Sequence, residues 1–229
     1  MNGEQIVVDV TLLIVAAVTL CKALANPNKL GGKPDVNEGH FLKFAKNVTP
    51  PLVRSFVTGW TVTYVTLMIL QDIKSPYLHS LCPNRQPGSL LLSSIQLIGF
   101  VLVMVGSLTR LWCFHTLGSF FTFDVAILPQ HKLIRSGPYA YVRHPSYTAI
   151  LFMVTGSFML CRNEWIFCFL PSSSKDIIGH WMNPMLNISF VAAFIIKRVS
   201  LEEKLMSEYF KDEFKDYESK TYKYLPFIL

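Results

Sequence analysis

Gly137-Pro138-Tyr139-Ala140-Tyr141-Val142-Arg143-His144-Pro145-Ser146-Tyr147 is a polar, aromatic stretch that opens directly onto an apolar run reaching Leu170. Proline disfavours helix in the residue before it and suits a first helical turn, so His144-Pro145 marks the start of a helix, with Ser146 and Tyr147 in its first turn. Ionisable groups are costly to hold at a membrane boundary, which makes such a cluster a functional-site hypothesis by default. A helix start also offers free backbone N–H groups and partial positive charge, suited to a carboxylate or phosphate. The competing reading has Arg143 and His144 as interfacial anchors and Tyr139, Tyr141 and Tyr147 as an aromatic belt.

Composition decides the solvent. The chain is 51% hydrophobic and only 16% charged, against about 25% charged residues in ordinary soluble domains. Five apolar segments approach the roughly 20 helical residues needed to cross a bilayer core: Ile6 to Leu24, Leu52 to Leu70, Leu90 to Trp112, Tyr147 to Leu170 and Ile177 to Ile196. Arg162-Asn163-Glu164 interrupts the fourth, whose membrane portion is expected to end near Leu160. His180, Asn183, Pro184 and Asn187 make the fifth a helix that is shielded by neighbours or begins late, because lipid leaves polar groups unsatisfied. The expected fold is an all-α polytopic membrane bundle of about five transmembrane helices with a cytosolic C-terminal amphipathic helix. It divides into N-terminal spans and linkers over residues 1–112 and a catalytic region over 113–229.

When connecting segments are assigned alternately to two sides, 17 of the 21 Lys and Arg residues fall on one side, leaving Lys74, Arg85, Arg162 and Lys175 on the other. The positive-inside rule then puts the N-terminus in the lumen or outside, and the loop Cys113 to Arg143 and the C-terminal tail in the cytosol. The net charge of +6 is that bias and not a nucleic-acid footprint, since no basic cluster is interleaved with exposed aromatics. The first span reads as retained, being long and lacking a basic flank in front. Asn26 to Pro51 reads as the long polar linker. The five cysteines contain no CxxC pair, and the spacing of a structural zinc site is missing.

A second constellation stands where the fifth span ends, at Lys197-Arg198 and Glu202-Glu203. Arg198 and Glu202 are four apart and share a helix face, either as a solvated ion pair or as a guanidinium for a substrate carboxylate beside an acid for a polar cofactor group. From Ser200 to Tyr222, apolar residues at helical spacing describe an amphipathic helix. Its packing would fold Arg198 and Glu202 back over the loop.

The ordered set His131-Lys132-Leu133-Ile134, Ser136-Gly137-Pro138-Tyr139, Arg143-His144-Pro145-Ser146-Tyr147, Arg198, Glu202 and Tyr224-Leu225-Pro226-Phe227 resembles the isoprenylcysteine carboxyl methyltransferase family over about residues 105 to 228. The first hundred residues match only in having two hydrophobic spans and a polar linker. The resemblance implies a membrane enzyme that uses S-adenosyl-L-methionine to methylate the C-terminal carboxylate of prenylated cysteine in CaaX-type proteins. It implies an endoplasmic reticulum membrane location with the active site facing the cytosol. It further implies cofactor contacts from His131, Lys132, Leu133, Ile134, Tyr139, His144, Pro145, Ser146, Tyr147 and Glu202, with Arg198 positioning the substrate carboxylate. Two departures stand out: Asp124 where relatives often carry Gln, and Ala149 where many carry Gly.

Rival readings start from the same residues. A phospholipid N-methyltransferase would need a base or a lowered amine pKa, and Arg198 is awkward beside an ammonium substrate. A sterol reductase of related architecture usually continues its Arg-His-Pro turn with Asn-Tyr, where this chain has Ser146-Tyr147-Thr148-Ala149-Ile150. A non-catalytic scaffold is the third class. No GxGxxG follows a predicted strand, so a soluble-type dinucleotide-fold methyltransferase domain is not supported.

Overall fold

The computed structural model describes residues 3–28, 39–72, 92–128, 130–161 and 183–224. Among these, regular structure is helical: α1 (Gly3–Ala23), α2 (Gly39–Asp72), α3 (Ser94–Leu117), α4 (Pro145–Leu160), α5 (Asn183–Phe210) and α6 (Asp212–Lys220). Short 3-10 turns occupy Gly118–Phe120 and Gly137–Ala140. Three helices are long and apolar enough to cross a membrane, over Glu4–Ala23, Pro50–Leu70 and Ser94–Phe120, and Pro145–Leu160 is a shorter apolar helix.

Each long helix hides one stripe and exposes another. In α1, Ile6, Asp9, Leu13, Ala16, Leu20 and Ala23 are buried at three- and four-residue intervals, while Val7, Val8, Ile14, Val15 and Val18 face outward. The outer face of α3 likewise exposes Leu97, Ile98, Val101, Val105, Leu108 and Trp112. Apolar faces of that extent are far larger than a water-soluble monomer tolerates and suit lipid.

The closest approach is between α3 and α4, and glycine makes it possible. A Cβ on Gly99 would lie 2.7 Å from Met159 Cβ and 2.8 Å from the Gly156 carbonyl, and one on Gly106 would lie 2.7 Å from the Ala149 carbonyl. Small residues let membrane helices pack on van der Waals contact where no hydrophobic drive exists between them. Ala149 is 1% exposed here; the missing methyl belongs to Gly106 across the interface.

Polar side chains serve the helix ends. Ser93 and Gln96 form a reciprocal capping box at the start of α3, and Gln96 Nε2 reaches across to the Leu160 carbonyl at 3.2 Å. Buried Asp9 accepts from the Leu92 N–H at 3.0 Å. Such bonds satisfy groups that lipid would leave stranded.

Several expected boundaries move. The linker placed over Asn26 to Pro51 is already helical from Gly39, and α2 runs through Pro50 and Pro51; helices in lipid tolerate proline where the freed carbonyls find other partners. The third span begins at Ser94 and runs on to Leu117, so the loop expected from Cys113 starts later, and the division at residues 112 and 113 falls inside α3. The fourth helix ends at Leu160, and the remainder of the segment to Leu170 lies outside the described residues. The end of the expected fifth span and the start of the expected tail lie on one helix: α5 continues past Ile196 to Phe210, while residues 177–182 lie outside the described residues. Lys197-Arg198 resembled a helix end because charge appears there, but Lys, Arg, Leu, Glu and Met are all good helix formers, so a polarity boundary need not break the helix. The break comes at Lys211, with φ of +47°.

Candidate active site

Gly137 opens the local structure of the loop. Its φ is +59°, in the left-handed region that glycine enters without a Cβ penalty, and a Cβ there would lie 2.9 Å from Thr116 Oγ1. Pro138 follows at the second position of the 3-10 turn, and the turn buries Tyr139 to 8% exposure. From α6, the Tyr217 hydroxyl donates to the Tyr139 carbonyl at 2.7 Å. Burial pushes the Tyr139 phenol well above its ordinary pKa and that of Tyr217 up to about 12. Both are neutral near pH 7.

After the turn, the loop pairs with the chain's tail. Arg143 N donates to Tyr222 O at 2.8 Å, His144 N to Lys223 O at 3.1 Å, and Tyr222 N to Tyr141 O at 3.0 Å. Thr148 Oγ1 donates to Tyr224 O at 2.7 Å. His144 then stands as the N-terminal flank of α4, and Pro145 begins the helix. The tail thus adds a short extended segment along the residues just before α4.

α5 supplies the acids. Tyr147 donates its hydroxyl to Glu202 Oε1. Arg198 Nε donates to the Tyr147 oxygen at 2.7 Å and to Glu202 Oε1 at 3.1 Å, and Arg198 Nη2 donates to the Phe123 carbonyl. The next residue, Glu203, gathers three nitrogens: Arg143 Nε at 3.1 Å, His144 Nε2 at 3.2 Å and Lys223 Nζ at 2.6 Å. Burial alone would raise the Glu203 carboxyl, but these hydrogen bonds outweigh it and hold the pKa at about 2.

Between these elements lies a cavity of about 370 Å³, within the size range of small-molecule sites. His131, Lys132, Leu133, Ile134, Tyr139, His144, Ser146, Tyr147, Arg198 and Glu202 all line it, and Pro145 does not. The remaining wall is largely apolar, with Phe120, Phe121, Ile150, Val154, Phe190, Phe194, Leu205 and Met206 among its side chains. His131 stacks on Phe120 at 4.9 Å and meets Phe210 edge-on at 5.9 Å. Its Nδ1 accepts from the Leu128 N–H at 3.2 Å, and burial lowers its pKa. The imidazole is therefore a neutral ring in a stack, not a cation.

Two residues with no assigned role in the sequence reading shape this cavity. Arg110 was read as one more basic residue in the topology count, yet it is 6% exposed and reaches the cavity wall from inside α3. A charge within an apolar span was the available signal. Glu203, adjacent to Glu202, carries no separate signal in sequence; its role depends on where the tail lands. Asp124 also lines the cavity. Among the described residues, Cys21, Cys113 and Cys161 are free thiols, and no group of three side chains suited to a metal ion occurs.

A carboxylate, a guanidinium and a phenol bonded together in the wall of a largely apolar cavity can hold a small polar molecule beside an apolar one, the arrangement a group transfer between unlike partners requires. Comparison with known proteins bears on which. The model of the isoprenylcysteine carboxyl methyltransferase family matches residues 97–208. The chain is 30% identical over 140 residues to a probable protein-S-isoprenylcysteine O-methyltransferase of Oryza sativa subsp. indica, covering 58% of this chain and 62% of that protein. It is 28% identical over 136 residues to the protein-S-isoprenylcysteine O-methyltransferase of Saccharomyces cerevisiae, covering 57% of this chain and 48% of that protein. It is 26% identical over 136 residues to protein-S-isoprenylcysteine O-methyltransferase B of Arabidopsis thaliana, covering 57% of this chain and 58% of that protein. The chain therefore spans less than two thirds of the length of these relatives. Through the region from α3 to α5 that walls the cavity, the chain is similar to the isoprenylcysteine carboxyl methyltransferase family.

Proposed function

We propose that this chain methylates the C-terminal carboxylate of prenylated cysteine in CaaX-type proteins, with S-adenosyl-L-methionine as methyl donor. The observation that carries the reading is the Tyr147–Glu202–Arg198 network in the wall of a cavity otherwise lined largely by apolar side chains.

The residues fit the cofactor. Glu202, the neutral His131 stack and the backbone of residues 131–134 offer acceptors, ring surface and polar backbone to a molecule with an amino-acid end and an aromatic base. When bound, S-adenosyl-L-methionine supplies an electrophilic methyl group on a sulfonium. His131, Lys132, Leu133, Ile134, Tyr139, His144, Ser146, Tyr147 and Glu202 are the proposed contacts, and Pro145 fixes the start of α4 behind them. Arg198 is proposed to position the acceptor carboxylate, with Phe190, Phe194, Ile150 and Val154 lining the path of the prenyl chain.

The acceptor chemistry asks little acid–base work. An α-carboxylate has an ordinary pKa near 3.5, so it is already the nucleophile at neutral pH. The protein's task is alignment, worth several kcal/mol, and exclusion of water as opposite charges neutralise. Arg198, bonded to both Glu202 and Tyr147, is held in one orientation and is therefore suited to orient more than to activate. A phospholipid amine is the poorer acceptor, because buried guanidinium groups on the wall repel an ammonium.

Five spans, a cytosolic loop and tail, and an endoplasmic reticulum membrane complete the proposal, with residues 1–112 as membrane anchor and 113–229 as catalytic region. The test is transfer of labelled methyl from S-adenosyl-L-methionine in membranes containing the chain, with N-acetyl farnesylcysteine and phosphatidylethanolamine as competing acceptors. Base-labile label on farnesylcysteine is expected. Label on the phospholipid alone would discard the reading.

A further inference from the structure

Arg110 is buried in the cavity wall without a carboxylate partner. Its Nε donates to the Ala23 carbonyl at 2.8 Å, and its Nη1 to Ser146 Oγ at 2.5 Å and to the Ser146 carbonyl at 3.4 Å. Around it stand the rings of Phe114, Phe121 and Phe123, at 5.1, 5.6 and 5.5 Å from the guanidinium carbon. Nη2 makes no hydrogen bond among the described residues. Nor is it sealed away, because the single sealed side-chain nitrogen or oxygen without a partner among them is Ser107 Oγ.

The other buried cations on the wall are matched. Arg198 has Glu202 at 3.1 Å, and Arg143 has Glu203 at 3.1 Å. Ring faces and the carbonyl end of α1 stabilise the Arg110 cation in part, but they bring no full negative charge. In a low-dielectric wall an uncompensated cation is costly, and an arriving anion relieves that cost. Arg110 and Arg198 also flank the same residue, since Arg198 bonds to the Phe123 carbonyl while Arg110 lies over its ring.

We propose that Arg110 is a carboxylate-binding residue of the cavity, its Nη2 N–H groups donating to a ligand carboxylate. The proposal rests on the methyl-transfer reading, under which two carboxylates enter the site: that of the prenylcysteine acceptor and that of the cofactor's amino-acid moiety. Arg198 serves one of them, already half-neutralised by Glu202. Arg110 serves the other, and a guanidinium is charged at neutral pH, where the carboxylates are ionised.

The test uses the full chain in lipid nanodiscs, with Arg110→Gln and Arg110→Lys. Calorimetry measures the affinity for S-adenosylhomocysteine, and separately for N-acetyl farnesylcysteine and its carboxamide. If the acceptor carboxylate is the ligand, Arg110→Gln abolishes a preference of about tenfold for the acid over the carboxamide and leaves S-adenosylhomocysteine binding intact. If the cofactor carboxylate is the ligand, S-adenosylhomocysteine affinity falls about tenfold and the acid preference survives. In either case Arg110→Lys restores part of the loss. Unchanged affinities overturn the proposal, and so does an equal loss for all three ligands, which would mark Arg110 as a strut between α1, α3 and α4. Wild-type chain that binds neither S-adenosylhomocysteine nor farnesylcysteine would sink the methyl-transfer reading, and Arg110 would fall with it.

Discussion

Lys223 Nζ lies 2.6 Å from Glu203 Oε2, joining the chain's tail to the middle of α5. The other oxygen of that carboxylate holds Arg143 and His144, so one side chain fastens three segments around the cavity. Glu203 has a folded-state pKa of about 2 against an ordinary 4.5. Its contribution to stability is therefore complete above about pH 5 and is lost as pH falls toward 2. Glu203→Gln is expected to lower stability at pH 7 by roughly 1–3 kcal/mol. The gap between the wild type and the variant should narrow steadily on acidification from pH 5 toward pH 2, read as thermal midpoints in detergent. A gap that stays constant with pH would contradict the assignment.

The pairing of the tail with the loop makes a backbone prediction. Tyr222→Pro removes the N–H that donates to Tyr141 O, while Tyr222→Ala keeps it. The proline variant should lose most methyl transfer and weaken S-adenosylhomocysteine binding, and the alanine variant should be much closer to wild type. Equal behaviour of the two would mean that the side chain and not the strand pairing matters.

Arg198, Tyr147 and Glu202 share hydrogen bonds and should not act independently. Arg198→Ala is expected to lower turnover far more than cofactor affinity, and Glu202→Gln to do the reverse. In a double-mutant cycle, Tyr147→Phe and Glu202→Gln should be coupled by about 0.5–3 kcal/mol in cofactor binding. Additive effects would argue that the network is incidental.

Close packing of α3 on α4 sets the rigidity of the wall. A leucine at Gly99 or Gly106 has backbone within 3 Å of its Cβ, and overpacking of this kind costs about 1–3 kcal/mol or more. Gly99→Leu and Gly106→Leu should aggregate or unfold at lower temperature in detergent. Gly59→Leu on α2, where a Cβ meets nothing within 4 Å, should be neutral.

Local signals carried much of the fold. His144-Pro145 started α4 where proline chemistry required, and the existence of α1 and α3 followed from the length of their apolar runs. The continuity of α5 was hidden because a change from apolar to charged residues marks a solvent boundary, and a helix of good formers crosses it unbroken. Within the cavity, the spacing of Arg198 and Glu202 was readable as one helix face. Their tie to Tyr147, and that of Glu203 to Lys223, arise from contacts between segments far apart in the chain, which no local pattern encodes. Arg110 was visible as a charge in an apolar span, but only its depth and lack of a carboxylate distinguish it from an interfacial anchor.

The central claim is that the loop, the start of α4 and the middle of α5 form one cofactor site. Ultraviolet cross-linking of tritiated S-adenosyl-L-methionine to the purified chain, followed by peptide mapping, tests it most directly. The account predicts label in peptides spanning residues 131–147 and 198–206, displaced by S-adenosylhomocysteine. Displaceable label confined to α1 or α2, or no displaceable label at all, would contradict it.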